Sequence, residues 1–507
     1  MTVIETPSSP TDNKEVAAND WRKREIRLAI GNAVKLGSSL IATWGIALVA
    51  RLYIPRFLGP DRFGMLNFAE AFTATAFVMM SFGVDTYVRK EISVRPEHAN
   101  DFVGGIISLR LLLLVVVYAG MEVALRATHC NAQVRQLVYI YGATQFFMVG
   151  NATSAGLLQA VGQVNEMSVL SVATKLAWGG FTFVAIAMNL GLWAFALTLT
   201  LTEGGKSLIL FRLARKHLKF KLRVYPRATG AVIWAALPFF VSSLATTVYD
   251  KIGVNLLSFL TNTREVGWFG AASGLSGMTL LLTPLVSWIL IPLFARSAAE
   301  AHDELFAMVR RSLEIILSLA IPVSLMMLLG ADLWIRVLFG RAFTPAAASL
   351  RILAVGTVLM YVSIVAAYAL AVLSYTWRMS LVFVGGMIVS PTCNFLFIRW
   401  MSNADSPGAG GSACALATLV TEVAIVTSLL TLLGKRCFDR RLVSATFKSL
   451  AIAAAIVGLD SWLFKSLGLF RLVIDAALYA AAVMMTGAIR IREMIAMFRT
   501  WRRSKRT

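Results

Sequence analysis

The stretch YIPRFLGPDRFGMLNF, residues 53–68, is a polar corner between two apolar runs. Arg56, Asp61 and Arg62 lie on either side of its Gly-Pro step. A similar stretch, LLSFLTNTREVGWFGAA, follows at residues 256–272, again between apolar runs. Because Gly, Pro and Asp favour turns, each corner is predicted to join two apolar segments. The repetition predicts a chain built from two similar halves.

The composition identifies the class of protein. The chain has 507 residues, of which 58% are hydrophobic and 15% charged, and its mean hydropathy is +0.72. A soluble globular protein has about 25% charged residues. The apolar residues are spread along the whole chain, so no single soluble core would bury them. The sequence therefore predicts an all-α, polytopic membrane protein.

The spans follow from apolar windows of about 20 residues, the length that crosses about 30 Å of hydrocarbon. Fourteen windows meet this requirement: 29–52, 63–84, 102–125, 136–158, 168–189, 192–211, 230–259, 267–292, 312–330, 346–372, 380–399, 412–433, 447–465 and 469–488. The corner at 53–68 is thereby predicted to join the first two spans, and the corner at 256–272 to join the seventh and eighth.

Lys and Arg concentrate in three segments, 211–227, 434–441 and 489–507. Positively charged loops stay in the cytoplasm, so both termini are predicted to be cytoplasmic. This topology accounts for the net charge of +21 without nucleic acid. The last of these segments spaces Ile, Met, Phe and Trp at helical intervals between arginines, which predicts contact with anionic phospholipids of the inner leaflet.

Three pairs of motifs repeat in the same order. Gly64 corresponds to Gly267, EMSVL at 166–170 to RMSLV at 378–382, and Thr202-Glu203 to Thr421-Glu422. Each pair lies six spans apart, so the halves share one orientation and a pseudo-two-fold axis would relate them, as in alternating-access transporters. The corner residues Arg56, Asp61 and Arg62 are then candidates for a gate, and a plain turn is the alternative.

The predicted domains follow from the spans and the repeat. They are a disordered cytoplasmic tail (1–28), an N-lobe of six helices (29–211), a basic cytoplasmic linker (212–229), a C-lobe of six helices (230–433), two further helices (434–488) and a basic amphipathic cytoplasmic tail (489–507). The four cysteines and four histidines are scattered, with no metal-binding spacing, so neither a metal site nor a cofactor is predicted.

Several motifs resemble a known family. RFLGPDRFG, followed by SFGVDTYVRKEI at 81–92, is similar to the opening of the bacterial polysaccharide-lipid flippases of the multidrug/oligosaccharidyl-lipid/polysaccharide exporter superfamily. LFGRAFTPAAASLRILAVG at 338–356 and GAGGSACALATLVTE at 408–422 resemble its later spans. The resemblance covers nearly the whole chain in order, although Pro55 before Arg56 departs from the family's pattern.

The resemblance implies both a fold and a function. The fold would be two six-helix lobes around a central cavity with two extra C-terminal helices. The function would be flipping of undecaprenyl-diphosphate-linked oligosaccharide from the inner to the outer leaflet of the bacterial cytoplasmic membrane, for export of a surface polysaccharide such as an exopolysaccharide. A polysaccharide polymerase and export machinery would be partners.

Cations within the spans are candidates for substrate binding. A charged residue at the centre of a span costs about 2.5–3.5 kcal/mol on insertion scales and usually faces a cavity. Lys35, Arg110, Lys175 and Lys251 lie within predicted spans. We expect them to line a cavity that receives the diphosphate, because Arg and Lys both bind phosphate oxygens. Snorkelling to the interface is the alternative, above all for Lys35 and Lys175.

Acidic residues within the spans are candidates for coupling to H⁺ or Na⁺. Glu70 and Glu422 have no partner nearby in sequence, and Asp250 is predicted to point away from its neighbour Lys251. Structural salt bridges between helices are the alternative for Glu70, Asp250 and Glu422. Glu203, by contrast, is predicted to pair with a lysine three residues later on the same helix.

Three other functions compete with the flippase. A membrane-embedded glycan polymerase or ligase would need a large outer loop, but the longest predicted outer loop is 331–345, so no enzymatic activity is predicted. A cation-coupled multidrug exporter of the same superfamily would favour twelve helices and an acidic cavity. A non-transporting scaffold would not need charges inside the membrane.

Overall fold

The computed structural model describes residues 43, 45, 48–85, 91–92, 99–128, 130–219, 223–280, 283–402, 406–464 and 470–486. Within these ranges every regular element is helical, which confirms the all-α prediction. Lys35, the two predicted tails and most of the predicted span 29–52 lie outside the described residues.

Fifteen α-helices lie in the described part of the chain. They are α1 (Leu48–Met80, ending in a 3₁₀ turn), α2 (Ala99–Ala127), α3 (Ala132–Ala160), α4 (Val164–Ala187), α5 (Leu192–Leu218), α6 (Pro226–Leu260), α7 (Thr263–Thr279), α8 (Thr283–Glu300), α9 (His302–Leu329), α10 (Ala331–Leu338), α11 (Ala346–Val372), α12 (Thr376–Met401), α13 (Ala409–Leu433), α14 (Arg440–Leu459) and α15 (Phe470–Met485).

Ten of these helices are long and apolar enough to cross a membrane, counting only the described residues. The predicted span 267–292 is divided between α7 and α8. The predicted span 469–488 corresponds to α15, which has 16 residues. The chain is therefore a multi-pass membrane protein, and its helices are consistent with about fourteen spans.

The first polar corner lies within α1, so the connection predicted between the first two spans is helical over the described residues. Helical structure runs from Leu48 to Met80 through the corner. Gly59 has φ +73° and Pro60 follows it directly. Gly accepts the left-handed conformation that ends a helix, and Pro fits the first turn of the next helix. The corner therefore changes the direction of α1 without an intervening loop.

The two lobes repeat the same helix pairings. α3 packs along α5 in the first lobe, and α11 packs along α13, the corresponding pair, in the second lobe. Separate apolar cores support this arrangement, with Phe102 and Leu210 in the first and Phe294 and Leu429 in the second. The C-terminal helices α14 and α15 pack on α9, outside the paired helices.

The two corners contact each other through glycines. A Cβ atom on Gly64 would lie 1.8 Å from the carbonyl oxygen of Thr263, and one on Gly267 would lie 2.0 Å from the carbonyl oxygen of Pro60. The two contacts are related by one sequence offset, because 267−64 and 263−60 are both 203. Such reciprocity is the property of a two-fold axis. It confirms the predicted pseudo-two-fold relation between the lobes.

Candidate functional site

We call the surface between Pro60–Asn67 and Thr263–Gly270 the corner contact. Arg264 Nη2 lies 2.8 Å from Asp61 Oδ2, and these residues are again 203 positions apart. A hydrogen bond and the charge of Asp61 raise the pKa of the Arg264 guanidinium. Both side chains are half-exposed, so the pair is weak and serves mainly to align the lobes.

The other two predicted gate residues have different positions. Arg56 donates to the carbonyl oxygen of Val337 at 3.3 Å, in α10 of the second lobe. The Arg62 side chain is exposed. A gating role for Arg56, Asp61 and Arg62 stays a prediction, and the structure adds Arg264, whose role the sequence did not suggest.

Aromatic rings extend the interlobe contact from the corner contact. Phe259 in α6 meets Phe68 and Phe72 in α1, with ring centroids 5.4 and 6.3 Å apart and nearly perpendicular planes. Nearby, Asn255 Nδ2 donates to Thr75 Oγ1 at 3.1 Å. Together these contacts close one end of the space between α1 and α6.

The opposite end of this space is also closed. A Cβ atom on Gly83 would lie 2.4 Å from the Phe240 backbone nitrogen, and one on Gly105 would lie 2.0 Å from Thr229 Oγ1. Phe82 packs beside Phe240, with ring centroids 6.4 Å apart. We call this set the inner contact, because the predicted topology places it on the cytoplasmic side.

Lys251 of α6 lies within electrostatic range of charged residues of α1. Lys251 Nζ lies 2.8 Å from Asp250 Oδ2, which corrects the expectation that Asp250 points away from it. Glu70 and Arg51 of α1 also interact electrostatically with Lys251. We call these four residues the central charged group. The Lys251 and Asp250 side chains are 39% and 54% exposed, and charged residues within spans usually face a cavity or the interior of the helix bundle.

Arg110 lies beside the inner contact. The residue is 5% exposed, and its Nε donates to the carbonyl oxygen of Met80 at 2.9 Å. Asp85 interacts with it electrostatically and also accepts a hydrogen bond from Thr153 Oγ1 at 2.6 Å. Arg110 Nη2 is buried with no hydrogen-bond partner among the described residues. In this conformation Arg110 fixes the end of α1, and its contact with substrate stays a prediction.

Lys175 takes part in a buried network of the first lobe. Its Nζ lies 3.5 Å from Glu203 Oε1 and 5.3 Å from the centroid of Trp178. Asn151 Nδ2 donates to the other oxygen of Glu203 at 2.9 Å. Glu203 thus pairs with Lys175 on α4, whereas the sequence predicted a pair with Lys206 on its own helix. Lys206 contributes only as a more distant charge.

Glu422 is the counterpart of Glu203 in the second lobe. It is 2% exposed and accepts a hydrogen bond from the Ser363 hydroxyl on α11, as Glu203 accepts one from Asn151 on α3. The offset between Asn151 and Ser363 is 363−151, or 212, the same as between EMSVL and RMSLV. This repeat of polar residues in corresponding spans was visible in the sequence but was missed.

The second lobe has no counterpart of Lys175. The residue that corresponds to Lys175 at an offset of 212 is Met387. Glu422 accordingly has no ion pair with any part of the chain that the structure describes, and its electrostatic neighbour is the carboxylate of Asp250. The buried Glu203 of the first lobe therefore has a cation beside it, whereas the buried Glu422 of the second lobe has none among the described residues.

The sequence matches the family described as polysaccharide biosynthesis protein over residues 30–298, which is more than half of the chain. The chain belongs to this family. No curated protein is significantly similar to it in sequence. The resemblance seen in the motifs is thus confirmed at the level of the family.

The fold of this polysaccharide biosynthesis protein is similar to those of solved transporters. The lipid II flippase MurJ in an inward closed conformation has a TM-score of 0.68 and 14% identity, covering 92% of this chain and 100% of that chain. For the Vibrio cholerae MATE transporter VcmN in the bent form the TM-score is 0.54 and the identity 12%, over 81% of this chain and 99% of that chain. For a MOP superfamily transporter from Pyrococcus furiosus the TM-score is 0.55 and the identity 14%, over 82% of this chain and 96% of that chain.

The predicted cation cluster of this polysaccharide biosynthesis protein is divided in the structure. Lys251 belongs to the central charged group, Arg110 to the inner contact and Lys175 to the network of the first lobe. Lys35 lies outside the described residues. Arg51, which was not among the predicted substrate-binding cations, lies within electrostatic range of Lys251.

Proposed function

We propose that this protein flips an undecaprenyl-diphosphate-linked oligosaccharide from the inner to the outer leaflet of the bacterial cytoplasmic membrane, for export of a surface polysaccharide. The observation that carries the proposal is the central charged group, in which exposed charges of both lobes face each other between two interlobe contacts. Membership of the polysaccharide biosynthesis family supports the glycan, and the flippase-like fold supports movement of a lipid-linked substrate.

The chemistry of the substrate fits this group. A diphosphate needs cations that are accessible to water, while its lipid tail stays in the bilayer. Arg51 and Lys251 supply two cations, each with charge-assisted hydrogen-bond donors. In the absence of substrate, Asp250 and Glu70 neutralise them. The diphosphate would therefore exchange with these carboxylates as the partner of Lys251.

This exchange provides a route for coupling to protons. Protonation of Asp250 or Glu70 would release Lys251 and Arg51 for the diphosphate, because a neutral carboxyl group competes weakly for a cation. Glu422, whose electrostatic neighbour is Asp250, is a further candidate for this coupling. Alternating access would then follow from opening of the inner contact or the corner contact in turn.

Substitution of Lys251 tests the proposal. Lys251→Met should abolish surface glycan in cells and flipping of a diphosphate-linked glycan in proteoliposomes, whereas Lys251→Arg should retain part of both. Lys448→Met is the matched control, because Lys448 is exposed on α14 and contacts only the Thr486 carbonyl oxygen among its described neighbours. Normal glycan export by a stably inserted Lys251→Met protein would refute the proposal.

Cation-coupled export of drugs is the second candidate, and one observation favours it. The central charged group has as many carboxylates as cations, so Glu70 and Asp250 would accept a cationic drug. In that case Asp250→Asn would increase the sensitivity of cells to cationic dyes while leaving surface glycan unchanged. The flippase proposal predicts the reverse, with loss of glycan and no change in dye sensitivity.

A further inference from the structure

The interface between α9 and the C-terminal helices contains a polar cluster within apolar packing. Ile321 and Leu325 of α9 pack against Ile456 of α14 and Leu472 of α15. The same interface contains Asp460, Arg471 and Asp475. Their side chains are buried or nearly so: 9% of Asp460 is exposed, 17% of Arg471 and 0% of Asp475. The Arg471 side chain is thus mostly buried within the protein.

The contacts of this cluster leave one carboxyl group without a partner. Arg471 Nη1 lies 3.6 Å from Asp460 Oδ2, and Arg471 Nη2 donates to the Leu329 carbonyl oxygen at 2.8 Å. Both oxygens of Asp475 and Oδ1 of Asp460 are buried and receive no donor from the described residues. The two carboxyl groups are close enough to interact electrostatically. If both were ionised they would repel each other, and neither would have a proton to donate to the other.

The charges of the cluster lead to the same conclusion. Among the described residues, the charged groups that interact with Asp475 are Asp460 and Arg471. If both carboxyl groups were ionised, one negative charge would stay uncompensated in an apolar interface, which is so costly that a buried group binds a proton instead. One turn along α15, the Tyr479 hydroxyl is also buried, and it reaches toward Ser449 without a hydrogen bond of normal geometry.

We propose that Asp460 and Asp475 form a proton-binding site that holds a single proton between them and thereby fixes α15 against α9. With the proton bound, the carboxyl pair carries one negative charge, which Arg471 balances while donating to Leu329. Without the proton, repulsion between the carboxylates would separate α14 from α15 and weaken the bond to α9. The site lies in the C-terminal helices and is independent of the proposed transport function.

The test is the pH dependence of thermal unfolding of the full chain in lipid nanodiscs, between about pH 5 and pH 9. The folded state keeps a proton that the unfolded chain releases above the ordinary carboxyl pKa of about 4. Wild-type stability should therefore fall as pH rises, since the folded state binds more protons than the unfolded state. Asp475→Asn, which keeps the shape of a protonated carboxyl group, should give a flatter curve.

Two further measurements make the outcome decisive. Asp439→Asn, at an exposed aspartate that forms no side-chain cap, should follow the wild-type curve. An infrared difference spectrum of wild type minus Asp475→Asn should show one protonated carboxyl group. If Asp475→Asn does not fold, Asp460→Asn serves in its place. Parallel curves of stability against pH for wild type and the variant would overturn the proposal. Stability that depends on the Na⁺ concentration but not on pH would overturn it as well.

Discussion

Two buried glutamates differ in whether a cation lies beside them. Glu203 and Glu422 occupy corresponding helices and accept a hydrogen bond from corresponding partners. Lys175 compensates Glu203, but the residue at the corresponding sequence position in the second lobe is Met387, which has no charge. A buried carboxylate with a cation stays charged, whereas one without a cation favours the protonated form. The difference makes the second lobe the better candidate for coupling to an ion gradient.

At this scale we predict opposite effects for the two glutamates. Glu422→Gln should preserve stability, because an amide can accept the Ser363 hydrogen bond, and should abolish the dependence of export on the proton gradient. Glu203→Gln should instead lower stability by about 3 kcal/mol or more, because it leaves Lys175 without its partner. Thermal unfolding of each variant and export with and without a protonophore measure the two effects. Equal losses of stability would contradict the asymmetry.

At the scale of the helix, backbone approach depends on glycine. Gly64 of α1 and Gly267 of α7 each lie against backbone atoms of the other lobe, with no space for a methyl group. In an exposed helix, replacing Gly by Ala usually stabilises by about 0.5–1 kcal/mol. At these two positions the clash reverses that effect, because the opposing backbone cannot move without separating the lobes.

We therefore predict that Gly64→Ala and Gly267→Ala open the corner contact. Overpacking typically costs about 1–3 kcal/mol. An added cysteine between the lobes should become more reactive to a membrane-impermeant thiol reagent from the outer side. Gly274→Ala is the control, because a Cβ atom at Gly274 meets nothing within 4 Å. Unchanged labelling in both variants would contradict the prediction.

Glu265 connects the corner contact to α13. Its carboxylate accepts hydrogen bonds from the Gly408 and Gly411 backbone nitrogens at 2.6 and 3.0 Å, at the start of α13. Both bonds are buried and charge-assisted, each worth about 1.5–3 kcal/mol. Glu265→Ala should lower the free energy of unfolding by about 3 kcal/mol or more. Denaturation in mild detergent measures this, and Glu265→Gln should lose less because it keeps an acceptor.

At the scale of the whole molecule, the lobes meet at both the corner contact and the inner contact. Transport by alternating access requires that only one of them opens at a time. Asp61 and Arg264 occupy corresponding positions of the two lobes and contact each other, so the pair lies near the pseudo-two-fold axis, and opening of the corner contact would separate the two side chains.

A disulfide across the axis should therefore stop transport. We expect the double variant Asp61→Cys/Arg264→Cys, with Cys130 and Cys393 replaced by serine, to crosslink under mild oxidation and to lose export. Reduction should restore export, which excludes a folding defect. Full export by the crosslinked protein would show that the corner contact need not open.

The repeat in the sequence predicted more about the fold than about the site. Three pairs of motifs recur in the same order, six predicted spans apart, and together they predicted the two-fold relation between the halves. Pairing of charges was not visible, because it depends on the rotation of one helix against another. Lys175 and Glu203 lie on different helices, and Asp250 meets its neighbour Lys251 in spite of their different directions around α6.

The sequence by itself determined the membrane class, the number and order of the apolar helices and the duplication, because the bilayer fixes how many apolar residues each span needs. The tertiary structure alone decided which charged side chains are exposed and which are buried as ion pairs. The reason is that a few degrees of helix rotation move a side chain between lipid, a partner helix and the space between the lobes. The hydropathy of the sequence does not determine that rotation.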